Sequence, residues 1–408
     1  MNRLLFTLTM IAAMSGIACN QTTETAAPAA TSPKEGSFAY DLHFLQQHDS
    51  GLVVLRRGDA AILVSPRYQA KVFTSTAEGD TGTSFGWVHY KAFDGPPDAH
   101  MNAYGGENRL WLGPEGGRFS LFFAKGDSMT FTHWKTPAAF DTESWQLTDH
   151  SPTGATMEKD MRLTSFAGTP LSLHIRRGVK LLEPGGIDSL LQLGPDSSIK
   201  VVGYRTENVL TNTGSDAWTE ATGMPCVWIL DMFKPSPSTT IVIPYKQDGV
   251  NAKPATTDYF GEIAADRIKY ENGVLFFKAD GKSRGKLGIH PARATNVAGS
   301  YDAENGILTI IQFDVDPLGR YLNQEWNTVK PPFSGDAMNA YNDGPLADGS
   351  QMGPFYEMES VSAAAFLPPG HSLTHWHSVF HFTGDRAGLD RISRKLLGVS
   401  LDTIKTAL

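Results

Sequence analysis

Cysteine is nearly absent: the 408 residues hold two, Cys19 and Cys226. Positive charge is also in deficit, with 43 acidic against 35 basic side chains and a net charge of −8. That balance leaves no general electrostatic footprint for nucleic acid. Beyond the N-terminus no apolar run is long enough to cross a bilayer as a helix. Helical periodicity is scarce as well. Its clearest stretch is 387–397, where Leu389, Ile392, Leu396 and Leu397 share one face. The shortage of helices argues against a parallel α/β architecture, which needs a crossover helix between strands.

The first residues read as a processing signal. Arg3 precedes the apolar run 4–18, which is too short to span a membrane. Gly16-Ile17-Ala18-Cys19 resembles a bacterial lipobox, with glycine where leucine is common. The expected division is a signal peptide at 1–18, a lipid-anchored flexible linker at 19–35 and a single domain at 36–408. An ordinary cleaved signal with a chance cysteine is the alternative. The linker is rich in Thr, Ala and Pro and cannot bury a core. Lipidation of Cys19 leaves Cys226 alone, so the globule rests on a large core rather than on crosslinks. Localisation to the cell envelope, with the membrane reached only through the lipid, follows as an expectation.

What is present is β texture. Short runs rich in Val, Ile, Thr and aromatics recur between Gly, Pro, Asn and Asp. Expected strands include 60–64, 119–124, 129–134, 171–177, 199–204, 226–232, 307–313, 355–360 and 374–382. Many strands with few short helices predict an all-β, mainly antiparallel fold of sheets packed on sheets.

The segment Met101–Phe123 sets Glu107, Arg109 and Glu115 among five glycines and beside Tyr104 and Trp111. Rings stack on sugar faces and charged groups bond hydroxyls, so the mixture suits a polyhydroxylated ligand. A tight, charged turn region is the plainer alternative. Trp134 is a second candidate stacking ring. Met-Asn-Ala-Tyr occurs at 101–104 and again at 338–341, a hint that both loops serve one site.

Two further constellations lie near the C-terminus. Glu357 and Glu359 alternate with Tyr356 and Met358, so the carboxylates share a strand face about 7 Å apart. Repulsion between them can separate their pKa values and divide acid from base roles. A solvated strand face is the alternative. In the run 373–382, His375, His377 and His381 share a face opposite Trp376, Phe380 and Phe382. Such histidines can donate protons, make plain hydrogen bonds, or, at His375 and His377, hold a metal ion.

Three places together resemble the galactose mutarotase-like superfamily, a β-supersandwich fold that includes aldose 1-epimerases: Gly58–Tyr68, Val209–Gly223 and Phe366–Phe382. The segment Gly105–Gly117 further resembles a family of bacterial lipoproteins of that fold without an assigned activity. The resemblance implies a catalytic glutamate on the strand before the closing one, where Glu357 and Glu359 stand. It also implies a histidine that protonates the ring oxygen. The matching stretch here is Gly223-Met224-Pro225-Cys226-Val227-Trp228, without a histidine, so the acid would need a substitute such as His133, His375 or His377. Three functions stay open: an aldose epimerase-type isomerase, a non-catalytic glycan-binding lipoprotein, or a polysaccharide lyase or hydrolase. In each the partner is a mono- or oligosaccharide, and no organic cofactor is implied.

Overall fold

Val, Ile and aromatic residues at strand spacing pair into three antiparallel sheets in the computed structural model, which describes residues 32–247 and 253–408. Cys19, the leader 1–18 and the linker before residue 32 lie outside the described residues. Residues Pro33–Leu408 cluster as one compact unit. The all-β, mainly antiparallel expectation agrees with the structure.

A ten-stranded sheet forms the back of the molecule. Its order is Ile268–Glu271, Val274–Lys278, Thr239–Pro244, Val297–Asp302, Ile307–Phe313, Ser372–Gly384, Ile199–Asn212, Pro170–Leu181, Gly154–Thr164 and Gln146–Ser151. Facing it is a five-stranded sheet in the order Gly285–Ile289, Met338–Asn342, Tyr356–Val361, Cys226–Phe233 and Arg109–Gly113. A three-stranded sheet of Val53–Arg57, Ala60–Ser65 and Lys71–Thr76 carries the helix Phe38–His48. Ser37 caps that helix by accepting from Tyr40 N at 3.3 Å.

Strand alternation gives each sheet two distinct faces. On the closing strand Ser372–Gly384, His375, His377, Val379 and His381 point between the sheets. Phe380 and Phe382 point the other way, into an apolar layer under the C-terminal helix Arg386–Leu397. That helix is capped by Asp385, which accepts from Gly388 N, and ends at Gly398 with φ of 75°. Trp376, expected on the core-seeking face, is 37% exposed because the helical layer covers the later part of the strand.

Two expected strands are loops. Residues 119–124 and 129–134 form turns and bends. Phe119, Leu121, Phe122 and Phe123 are all buried, which a strand with one solvated face does not permit. Their backbone groups bond locally instead: Leu121 N donates to Pro114 O at 3.0 Å and Phe122 N to Ser120 Oγ at 3.0 Å.

The space between the sheets is not wholly apolar. Arg177, fully buried on Pro170–Leu181, donates Nε to Ala70 O at 2.8 Å and Nη1 to Asn208 Oδ1 at 2.6 Å. Its Nη2 bonds Asn108. One guanidinium therefore ties the ten-stranded sheet to the residues that lead into Lys71–Thr76 and Arg109–Gly113 of the other two. Removing it leaves several buried acceptors unpaired. Arg177→Ala is expected to lower the unfolding free energy by about 3–5 kcal/mol. Urea unfolding of this variant beside Trp376→Ala checks it; equal, small losses in both would contradict the cross-sheet role.

Candidate functional site

The outer face of the five-stranded sheet floors a cavity of about 440 Å³, within the size range of small-molecule sites. Register builds its floor. Glu357 lies between Tyr341 and Met232, and Glu359 between Asn339 and Leu230, with Arg109 opposite Leu230 on the next strand. Trp228 faces Trp111 across the same pair, and Lys286 lies beside Tyr341 on the other edge. Loops supply the walls: Glu115, Phe131, Trp134, Phe260 and Trp326.

The charges interlock. Arg109 Nη2 donates to Glu357 Oε1 at 2.5 Å with both groups buried. Lys286 Nζ lies 3.1 Å from Glu359 Oε2, which also accepts from Trp228 Nε1 at 2.8 Å. The Lys286 ammonium sits 4.7 Å over the Trp228 ring. Burial pushes the Glu357 carboxyl up from 4.5 to about 7, with Arg109 opposing and Glu359 reinforcing the rise. Burial also raises Glu115, against the pull of Lys286. For Lys286 burial acts downward, but Glu359, Glu115 and Glu357 outweigh it and hold the ammonium above the usual lysine value. Arg109 Nε, Trp111 Nε1 and Glu359 Oε1 are buried without a hydrogen-bond partner among the described residues. Trp134 and Trp326 lean their indoles toward Glu115 without reaching hydrogen-bond geometry.

Arg109, Trp111, Glu115, Trp134 and Glu357 line this one cavity, and Glu359 lies buried beneath it against Lys286 and Trp228. Four expected residues lie elsewhere. His133 is exposed in a turn, its Nδ1 3.0 Å from Ser128 O, and does not line the cavity. Glu107 is fully buried between the sheets, 2.7 Å from Ser75 Oγ and 3.0 Å from His381 Nε2. His375 and His377 lie behind the sheet that floors the cavity. Ser360, on the opposite face of the Glu357 strand, sits 2.8 Å from His375 Nε2 and 2.8 Å from His377 Nδ1. His377 Nε2 is 2.7 Å from Asp231 Oδ2. Pairing of either histidine with Glu357 across one cleft is thus corrected: the backbone of Tyr356–Val361 stands between them. The single Ser360 proton serves one imidazole, and the hydroxyl accepts from the other. Burial, then the His377 charge, pushes His375 down to about 3. Among the described residues no cluster of three or more His, Cys, Asp or Glu is arranged to hold a metal ion.

Sequence reasoning missed Lys286, Arg284, Trp228 and Trp326, and also His89 and His100, the two histidines that do line the cavity. A signal was available for part of this. Met101, Asn102 and Ala103 of the first Met-Asn-Ala-Tyr and Tyr341 of the second all line it. The adjoining glycines are required by close approach. At Gly105, with φ of 81°, a Cβ would lie 2.3 Å from Trp87 O.

Residues 36–408 match a family of unknown function, DUF6786. A search of curated proteins found no match. Among solved structures, the chain is similar to the Slr1438 protein of Synechocystis sp. PCC 6803, with TM-score 0.50 and 12% identity, covering 82% of this chain and 96% of that one. It is also similar to a galactose mutarotase-like protein of Lactobacillus casei ATCC 334, with TM-score 0.47 and 10% identity over 81% and 100% of the two chains. A galactose mutarotase related enzyme from Lactobacillus acidophilus gives TM-score 0.43 and 10% identity over 82% and 97%. At these identities the likeness is one of fold alone.

The raised carboxyl of Glu357 has a consequence for stability. In the fold it holds its proton up to about pH 7, whereas unfolded it releases it near 4.5. The folded state binds the extra proton in that window, so this group's contribution falls as pH rises from 4.5 to about 7. Glu357→Gln keeps an acceptor for Arg109 and removes the titration. Urea midpoints at pH 5 and pH 8 should differ less in the variant than in the parent; an unchanged difference would place the titration elsewhere.

Proposed function

We propose that this chain, which belongs to the family of unknown function DUF6786, binds a sugar over its five-stranded sheet and uses Glu357 to open the sugar ring. The observation that carries the reading is a buried carboxyl held 2.5 Å from Arg109 in an aromatic-walled cavity, where burial raises it to about 7. A group near neutral pKa can take and return a proton at little cost. Rings such as Trp111 and Trp134 suit the apolar faces of a sugar, and Arg109, Lys286 and Glu115 suit its hydroxyls.

In this mechanism Glu357 removes the proton of the anomeric hydroxyl. The freed electron pair forms the carbonyl at C1, the C1–O5 bond breaks, and O5 takes a proton from an acid. His89 and His100 are the cavity histidines for that role. Their Nδ1 atoms lie 2.9 Å from Ala103 O and 2.6 Å from Trp134 O, which leaves Nε2 as the ring nitrogen for substrate. Rotation about C1–C2 and reclosure invert the anomeric centre and return both protons. Arg109 positions Glu357 and keeps part of it ionised. The likeness of Gly16–Cys19 to a lipobox supports tethering of this activity to an envelope membrane.

A second reading, binding without turnover, has its own support. No histidine stands in the Gly223–Trp228 stretch, and His375 and His377 are enclosed behind the sheet. Exchange NMR on freshly dissolved α-anomers separates the two. Accelerated anomer exchange that falls about 100-fold or more in Glu357→Gln, with saturation transfer to the sugar retained, is the expected result. Saturation transfer without acceleration would replace the enzyme with a binder, and silence in both would remove the sugar.

A further inference from the structure

The catalytic cavity does not end at its own wall. A second cavity of about 490 Å³ adjoins it, and Glu115, Phe131, Phe260, Arg284, Lys286 and Trp326 line both. Shared walls of this kind describe one cleft with a waist. Two large rings stand exposed at that waist, Phe131 at 62% and Phe260 at 39%, against the usual tendency of phenylalanine to be buried. Each is held in place. Phe131 stacks on His100 at 4.5 Å and on Trp134 at 6.1 Å, and the Arg284 guanidinium lies 3.8 Å over Phe260.

Arg284 is exposed beside this ring and anchored at one nitrogen. Its Nε donates to Tyr341 Oη at 3.3 Å, and Tyr341 Oη donates to Asp343 Oδ1 at 3.0 Å. The two terminal nitrogens meet no acceptor among the described residues, although Arg109 and Lys286 nearby are both paired with glutamates. A planar fork, stacked and anchored at one nitrogen, offers its remaining donors to hydroxyl oxygens. A single sugar seated against Glu357 gives the second cavity and its polar edge no role.

We infer that the cleft holds two sugar subsites, so that the ligand is an oligosaccharide of at least two residues, with one unit against Glu357 and the next beyond the Phe260–Arg284 pair. The inference rests on the sugar reading above and narrows its substrate class. Leu346, 46% exposed, lines only the second of the two cavities, so Leu346→Trp can fill that cavity and leave the first unchanged.

The test is isothermal titration calorimetry with gluco-, galacto- and manno-oligosaccharides of one to four residues on the parent chain, Leu346→Trp and Phe260→Ala. At least one series should bind tenfold or more tightly on passing from one residue to two. Leu346→Trp should abolish that gain while leaving monosaccharide affinity within twofold, and Phe260→Ala should lower disaccharide affinity. Equal affinity along every series, or a gain untouched by both variants, overturns the second subsite and leaves the sugar reading standing. No binding by any member overturns both.

Discussion

The buried Arg177 is the constraint on which the arrangement of sheets depends. A guanidinium cannot shed its charge, so enclosing it demands that each N–H find an acceptor. Those acceptors come from three places in sequence: Ala70, Asn108 and Asn208. Asn108 passes the connection on, donating Nδ2 to Asp231 Oδ1 at 2.6 Å, and Asp231 continues to His377 and Ser360. Apolar packing tolerates small slides between sheets. A chain of oriented hydrogen bonds tolerates them far less, because each lost partner leaves a desolvated polar atom.

That network lies directly behind the cavity, on the same strands. Asp231 sits between Leu230 and Met232, and Ser360 follows Glu359. Leu230, Met232 and Glu357 line the cavity, while Asp231 and Ser360 are fastened inside. Period-two geometry makes this unavoidable: whatever fixes one face of a strand fixes the side chains of the other. The interior polar residues are therefore positioning groups. The histidines and Glu107 that look chemical in the sequence hold the floor on which Glu357 stands.

This explains what was legible. Period-two alternation correctly placed Glu357 and Glu359 on one face and the three histidines on one face of theirs. It could not say which face looks into a cavity and which into the sandwich, because a polar interior reverses the usual rule that polar residues face water. The C-terminal helix was readable from its apolar stripe. The loops at 119–124 and 129–134 were not: Phe119–Phe123 are buried on every side and carry no period, and 129–134 is a mostly exposed turn whose alternating aromatics imitate a strand. Lys286 and Arg284 gave no local signal. They become part of the site through pairing with Met338–Asn342, a contact that spans some fifty residues.

The division of labour between the two glutamates follows from their partners. Glu359 is enclosed, and one of its oxygens takes both the Lys286 ammonium and the Trp228 N–H. It has no open edge toward a ligand. Glu357 faces the cavity with one charged partner and feels the negative charge of Glu359 across the strand face. At Glu357 burial outweighs the pull of Arg109 and Lys286 and raises the carboxyl. Of the two, Glu357 is the one that lines the cavity. Strand alternation, one lysine and one arginine thus give two neighbouring glutamates different surroundings: Glu359 enclosed against Lys286 and Trp228, Glu357 open to the cavity beside Arg109.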